Sequence, residues 1–278
     1  MKRIAMVMLA GALALSAVCT GCSKSQKSEG ADRSAAPYTI EVGGSTSVTP
    51  LMELFAEEYQ KIHSHIKVNI NGTGSGDGIN NAGKLYQIGM SSRELTPAEQ
   101  GMGLKEIIVA IDGIAVIVNS ENQVSDLSLE QIKNIYTGAI SDWSQVSGGE
   151  KRGRIAVISR EEGSGTRGAF EELVGFQGKL LAGATESTST EAIKAGIVGN
   201  PDAIGYISLG SVDDTVKAIA VGGVAALNDN VVNGTYKIAR PFIVLTGDNL
   251  HDESKAFVDW MLSPEGQTIV KKSWIPVK

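Results

Sequence analysis

The chain has 278 residues, with 25 Lys and Arg against 31 Asp and Glu, a net charge of −6, 5% aromatic residues and two cysteines. Nucleic-acid binders carry a basic stripe with interleaved aromatics, and no such stretch occurs here. Cys19 and Cys22 both lie near the N-terminus, so the rest of the chain has no disulfide and must be held by its core.

In chain order, Lys2 and Arg3 precede an uncharged apolar run over residues 4–18. The run is shorter than the about 20 apolar residues that cross a bilayer and suits an export signal. It ends at Val18-Cys19-Thr20-Gly21-Cys22. A small residue before a cysteine at this place resembles the bacterial lipoprotein box, although Cys19 stands where Leu is usual. We read residues 1–22 as a lipoprotein signal with Cys22 acylated; an ordinary secretory signal is the alternative. Residues 23–37 are rich in Ser, Lys, Gln, Gly and Ala and read as a flexible tether. The expected location is therefore extracytoplasmic, lipid-anchored to the cell membrane or facing the periplasm.

Short Ile- and Val-rich runs bounded by Gly, Asn or Asp predict strands over 38–42, 66–70, 107–118, 155–159, 203–207 and 242–245. Helical spacing predicts helices over 50–62, 129–136, 166–173, 190–197, 253–262 and 264–272. In the first, Pro50 opens the first turn, and Leu51, Leu54, Phe55 and Ile62 share a face. Strand–helix alternation implies an α/β fold with mainly parallel sheets, whose ligands bind beyond the carboxyl ends of strands. Asp112-Gly113 interrupts the apolar run 107–118, which marks either a crossover between two lobes or a strand bend. A crossover requires a return, placed near 239–242.

Three stretches stand out: Gly43-Gly44-Ser45-Thr46-Ser47, Gly72-Thr73-Gly74-Ser75-Gly76-Asp77-Gly78, and Arg160-Glu161-Glu162-Gly163-Ser164-Gly165-Thr166-Arg167. The first and third lead into helices. A helix start leaves N–H groups unpaired and carries partial positive charge. Glycines admit a ligand to that backbone, and hydroxyls add donors. Three such loops converging form an anion cage. Arg160 and Arg167 flank the third, where a guanidinium fork matches two oxygens of a tetrahedral oxyanion.

Enzyme readings fare worse. There is no Gly-x-Ser-x-Gly elbow, and His63, His65 and His251 all sit in polar segments. The 72–78 loop lacks the Lys-Ser/Thr of a P-loop. The His63-x-His65 pair alone does not make a metal site. No cofactor, metal or catalytic residue is expected.

A family resemblance rests on Gly44-Ser45-Thr46-Ser47-Val48-x-Pro50-Leu51, Gly74-Ser75-Gly76, Ile88-Gly89-Met90-Ser91-Ser92-Arg93, the stretch 127–143 with its Ile135-Tyr136-x-Gly138-x-Ile140-x-x-Trp143 core, residues 160–166, and Ala203-Ile204-Gly205-Tyr206. Over residues 38–278 the chain resembles the phosphate-binding proteins of phosphate ABC transporters, the PstS family. The resemblance implies the two-lobed periplasmic binding protein fold of type II, closing on dehydrated phosphate. Lobe 1 is expected over 38–113 and 240–278, and lobe 2 over 114–239. It implies phosphate contacts from Thr46, Ser47, Ser75, Arg160, Ser164, Gly165 and Thr166, and Gly76, Ser91 and Ser92 are expected beside them as further ligand residues. Arg93 is expected either as a further ligand or as a partner of Glu94.

Some family members carry an aspartate that accepts the phosphate proton where Ser92 stands here. Asp77, Asp112 and Glu162 are the acids considered for that role, Glu162 alternatively pairing with Arg160. The expected protein is a monomer that delivers phosphate to membrane permease subunits, anchored by its N-terminal lipid. The alternatives are another oxyanion (sulfate, molybdate or tungstate) on the same fold, or a secreted phosphoesterase attacking through Ser164 or Ser75.

Overall fold

The computed structural model describes residues 36–146 and 153–277. The export signal, Cys22 and nearly all of the tether lie outside the described residues. Among those residues no helix is long and apolar enough to cross a membrane.

The first part of the chain forms β1 (Tyr38–Gly44), α1 (Thr49–Ile62), β2 (Ile66–Gly72), α2 (Ser75–Asn81), β3 (Ile88–Ser91), α3 (Pro97–Gln100) and β4 (Lys105–Asn119). In α1, Pro50 sits in the first turn, and Leu51, Met52, Phe55, Ala56 and Tyr59 are buried at helical spacing. Ile62, expected on that face, is instead 58% exposed at the fraying end. Next come β5 (Asp126–Leu127), α4 (Leu129–Tyr136), β6 (Ala156–Arg160), α5 (Gly165–Val174), β7 (Thr185–Ser187), α6 (Thr190–Val198), β8 (Ala203–Ser208), β9 (Val216–Ala218), β10 (Ala220–Val221) and α7 (Asn228–Val232). The chain closes with β11 (Ala239–Thr246), α8 (Asp252–Met261) and α9 (Pro264–Val270). Every predicted strand and helix is present, with boundaries moved by three residues or fewer.

The main sheet runs β2-β1-β3-β11-β4-β8-β6-β7, with β9 also on β4. Its flanks are parallel: β1 with β2 and β3, and β6 with β7 and β8. Its centre is antiparallel, because β11 runs against both β3 and β4, and β4 against β8. The mainly parallel expectation therefore holds for the flanks alone.

The antiparallel centre has a simple origin. β4 is one unbroken strand of 15 residues that changes partner along its length. Up to Gly113 it pairs with β11, and from Ile114 it pairs with β8. Asp112-Gly113 marks this exchange and does not end the strand. Gly113 suits the tight packing there: a Cβ would lie 3.0 Å from the Leu209 side chain and 3.1 Å from that of Val231, and these would have to shift. Two large apolar clusters lie on either side of the exchange. One gathers Ile40, Leu51, Phe55, Ile88, Val109, Phe242, Phe257 and Trp274. The other gathers Ile114, Val116, Ile132, Tyr136, Trp143, Phe170, Ile193, Ile204 and Tyr206. The three Ser/Gly loops all leave strand ends where these two bodies meet: after β1, after β2 and after β6.

Candidate functional site

The loops converge into a knot of hydroxyls. Ser47 Oγ lies 2.8 Å from Thr166 Oγ1 and 3.2 Å from Thr190 Oγ1. Ser75 Oγ lies 3.2 Å, and Thr166 Oγ1 3.4 Å, from Ser92 Oγ. Ser45 Oγ donates to Ser92 Oγ at 2.8 Å. Thr46 Oγ1 sits 3.4 Å from Thr190 Oγ1. These side chains are buried or nearly so. Glycine is needed where the walls touch: a Cβ on Gly165 would fall 2.2 Å from Ser75 Oγ. Across the same seam Gly76 N–H donates to the Gly163 carbonyl at 3.0 Å.

The polarity of this knot decides its chemistry. Ser92 N–H donates to Ser75 Oγ, Thr190 N–H to Thr46 Oγ1, and Arg167 N–H to Ser164 Oγ. Arg240 Nη1 donates to Thr166 Oγ1 at 2.8 Å. A hydroxyl whose oxygen already accepts an N–H has its own proton left to give. The backbone N–H groups of Thr46 and Ser47, before α1, and of Gly165 and Thr166, opening α5, make no hydrogen bond to the described residues. Two helix starts thus bring unpaired N–H groups and partial positive charge to a cluster already rich in hydroxyl protons. Such a site donates, and it suits an anion.

Two buried guanidiniums back it. Arg160 is one of the largest fully buried side chains. Its Nε and Nη2 donate to Glu161 at 2.8 Å each, and to the carbonyls of Ser187 and Thr188. Its Nη1 makes no hydrogen bond to the described residues. The acid that holds the fork is thus Glu161, not Glu162. Glu162 is exposed, because the chain turns away after β6. Tyr206, stacked on Phe170 at 4.0 Å, fixes the end of β6 by taking the Arg160 N–H on its hydroxyl. Burial pushes that hydroxyl up to about 12.

Arg240, on β11, is the second cation. Besides Thr166 it reaches the Ser92 carbonyl at 2.8 Å and Asp112 Oδ2 at 3.1 Å. Burial pushes the Asp112 carboxyl up to about 6, offset in part by Arg240 and by hydrogen bonds from Ser208 and Gly210. Burial also lowers Arg240 from its usual range, with the Asp112 charge working against it.

The remaining expectations divide. Ser91 does not join the hydroxyls; its Oγ donates to the Arg93 carbonyl at 2.7 Å and braces that turn. Arg93 is taken by Glu99, at 2.7 and 2.8 Å, and its Nη1 also meets the Glu94 carbonyl. Its partner is thus Glu99, which the capping box at Thr96 holds in place, and not the Glu94 carboxylate. Asp77 is engaged by Thr73, Asn81 and Tyr86. None of Asp77, Asp112 and Glu162 stands among the hydroxyls. Arg167 pairs with Glu171 and Glu186. The histidines lie elsewhere, around the ends of α1 and α8, where His65 faces Glu253 at 3.3 Å. Sequence reasoning passed over Ser45, Thr190 and Arg240. The run Ser187-Thr188-Ser189-Thr190 was a fourth hydroxyl-rich stretch and signalled Thr190. Arg240 had no local signal.

Comparison with known proteins gives four concordant matches. The family model of the PBP superfamily domain matches residues 27–265. A phosphate-binding protein PstS of Borreliella burgdorferi is 30% identical over 249 residues, covering 84% of this chain and 88% of its own. A Clostridium perfringens structure, described as a phosphate ABC transporter substrate-binding protein with bound phosphate, superposes with a TM-score of 0.84 and 45% identity, over 87% of this chain and 100% of that one. An ABC-type phosphate transport receptor of Vibrio cholerae gives a TM-score of 0.71 and 35% identity, over 86% and 100%.

Proposed function

This chain belongs to the PBP superfamily and, within it, to the PstS family of phosphate-binding proteins, and on that premise we propose that it binds inorganic phosphate and delivers it to an ABC permease. The observation that carries the reading is the donor polarity of the hydroxyl knot. Thr46, Ser75, Ser164 and Thr166 each accept an N–H from the protein and keep a proton for the ligand. In the proposed complex the Ser47–Thr166 and Ser75–Ser92 contacts are exchanged for contacts to phosphate oxygens. Four unpaired backbone N–H groups and Arg160 Nη1 complete the donor set.

Closure is part of the reading. The proposed lobes are 38–113 with 240–278, and 114–239, hinged where β4 changes partner and at the start of β11. Phosphate binding then raises the melting temperature by mass action and reduces the radius of gyration. The protein performs no bond chemistry in this reading, since the site's serines have no histidine beside them; turnover of a chromogenic phosphate ester would contradict it. The proposed location is extracytoplasmic, with Cys22 acylated and the chain acting as a monomer. Cys22→Ser is expected to release the protein from the membrane fraction, and retention without attached lipid would indicate an uncleaved signal instead.

Among the described residues no carboxylate bonds to the knot of hydroxyls, which supports a second reading, in which a proton-free oxyanion such as sulfate or molybdate is the ligand. Competition calorimetry on the full chain with phosphate, sulfate and molybdate separates the two. One-to-one binding with phosphate tightest is expected; tighter sulfate or molybdate would transfer the assignment to the second reading.

A further inference from the structure

We propose that Arg240 is a positioning residue for this anion site, latching its two walls together and turning the Thr166 proton toward the ligand. The proposal rests on the hydroxyl knot being the ligand site. Arg240 lies on β11, directly opposite Asp112 of β4 in the strand register. Behind, its Nη2 meets Asp112, whose other oxygen is fixed by Ser208 Oγ at 2.8 Å. Its guanidinium carbon lies 5.1 Å from the centre of the Phe242 ring. In front, the single nitrogen Nη1 serves two acceptors, the Ser92 carbonyl and Thr166 Oγ1, at 2.8 Å each.

Those acceptors belong to opposite walls. Ser92 follows β3, and Thr166 opens α5. One nitrogen holds both only at the present separation of the walls. When they part, one of two charge-assisted bonds is lost. Arg160 behaves differently. All its partners (Glu161, Ser187 and Thr188) lie on its own side of the seam, so its hydrogen bonds do not depend on closure. Arg160 supplies charge, whereas Arg240 couples charge to closure.

A second observation points the same way. Arg240 Nε is buried with no hydrogen-bond partner among the described residues. An unpaired buried donor calls for an explanation beyond stability. A buried ion pair is also weak evidence for a stability role, because neutral residues of similar volume often replace one at no cost. What hydrophobic residues cannot do is donate an N–H to Thr166 Oγ1, a bond that leaves the hydroxyl's own proton for another acceptor.

The test is a coupling measurement on the full chain, using inorganic phosphate as the probe. The double substitution Asp112→Asn with Arg240→Met removes the pair and its N–H donors without leaving a buried charge alone. It is made in the natural sequence and in a Thr166→Val background. Arg240→Lys, which keeps a charge facing Asp112 but lacks the fork, is carried beside it in both backgrounds in case the double variant does not fold. In the natural sequence, phosphate affinity is expected to fall by roughly 10- to 100-fold, with most of the loss in the dissociation rate. In the Thr166→Val background the same change is expected to cost less than about threefold, because the group it acts through is gone. Equal losses in both backgrounds, or a folded variant with unchanged affinity and dissociation rate, would overturn the proposal. Should the natural protein itself fail to bind phosphate, the functional reading falls first, so the two failures are distinct.

Discussion

The loop after β6 and the pair of crossing strands each bury an arginine against a carboxylate, and the two solutions differ in what surrounds the acid. Arg160 pairs with Glu161, whose side chain keeps 26% of its surface in solvent. Arg240 pairs with Asp112, which keeps 1%. Solvent thus still reaches the Glu161 carboxylate that holds the Arg160 fork. Among the described residues Asp112 has Arg240, Ser208 and the Gly210 N–H to replace water, and burial raises its proton affinity in spite of them. The Arg160 guanidinium is held by an acid at the edge of the solvent. A cation held by a dry acid is part of a titratable unit inside the fold.

The sharpest way to break this comparison is Arg160→Ala. Truncating one member of a buried charge pair facing an anion costs about 2–5 kcal/mol, so phosphate affinity by calorimetry is expected to fall roughly 30- to several-thousand-fold. Near-normal binding would remove Arg160 from the site. Ser75→Ala removes a single hydroxyl donor and is expected to cost about 1.5–3 kcal/mol in the same measurement.

Asp112 gives a test in pH. Its folded-state value of about 6 lies above the ordinary 3.8, so the folded chain holds a proton that the unfolded chain has released. Its contribution to stability is therefore greatest below about pH 4, declines as pH rises toward 6, and is least above. Asp112→Asn is expected to flatten this part of the profile in urea melts at pH 4.5 and 7. The variant should gain on the natural protein by on the order of 1–2 kcal/mol between the two. Glu99 runs the opposite way. Arg93 and Thr96 hold it down to about 2, so its contribution is present at neutral pH and is lost only as pH falls from the ordinary glutamate range toward 2. The smallest effect is expected from Arg93→Ala. Its pair with Glu99 is two-pronged and largely buried, so a lower melting temperature is expected, with phosphate affinity unchanged. A large affinity loss would restore Arg93 as a ligand.

The contrast between these arginines also explains what the sequence made legible. The Arg160 loop is dense in Gly, Ser and Thr within eight residues, and local density is what pattern reading detects. Strands and helices were legible because apolar spacing and caps act locally. The Arg240–Asp112 pair joins positions 128 residues apart, and only the register of β4 with β11 brings them together. The choice of Glu161 over its neighbour follows from which way the chain turns after β6. The partner of Arg93 follows from a four-residue helix, α3, whose capping box was present in the sequence as Thr96-Pro97-Ala98-Glu99 but was not recognised. The antiparallel centre of the sheet escaped notice because strand direction follows from connectivity, which composition does not encode.

The partner exchange along β4 has a consequence for how the chain is made. The first apolar cluster needs Phe242, Phe257 and Trp274, which are synthesised after every buried residue of the second. A chain emerging N-terminus first can therefore complete its second core before its first. Until β11 arrives, β3 has nothing to pair with on that side, and its open edge is a template for another strand. Closing so long a loop makes assembly of the first core dependent on distant contacts, and folds dominated by such contacts form slowly. The interval between synthesis of β3 and synthesis of β11 is thus the time at which this protein is most exposed to aggregation, and the point where an export chaperone would have most to protect.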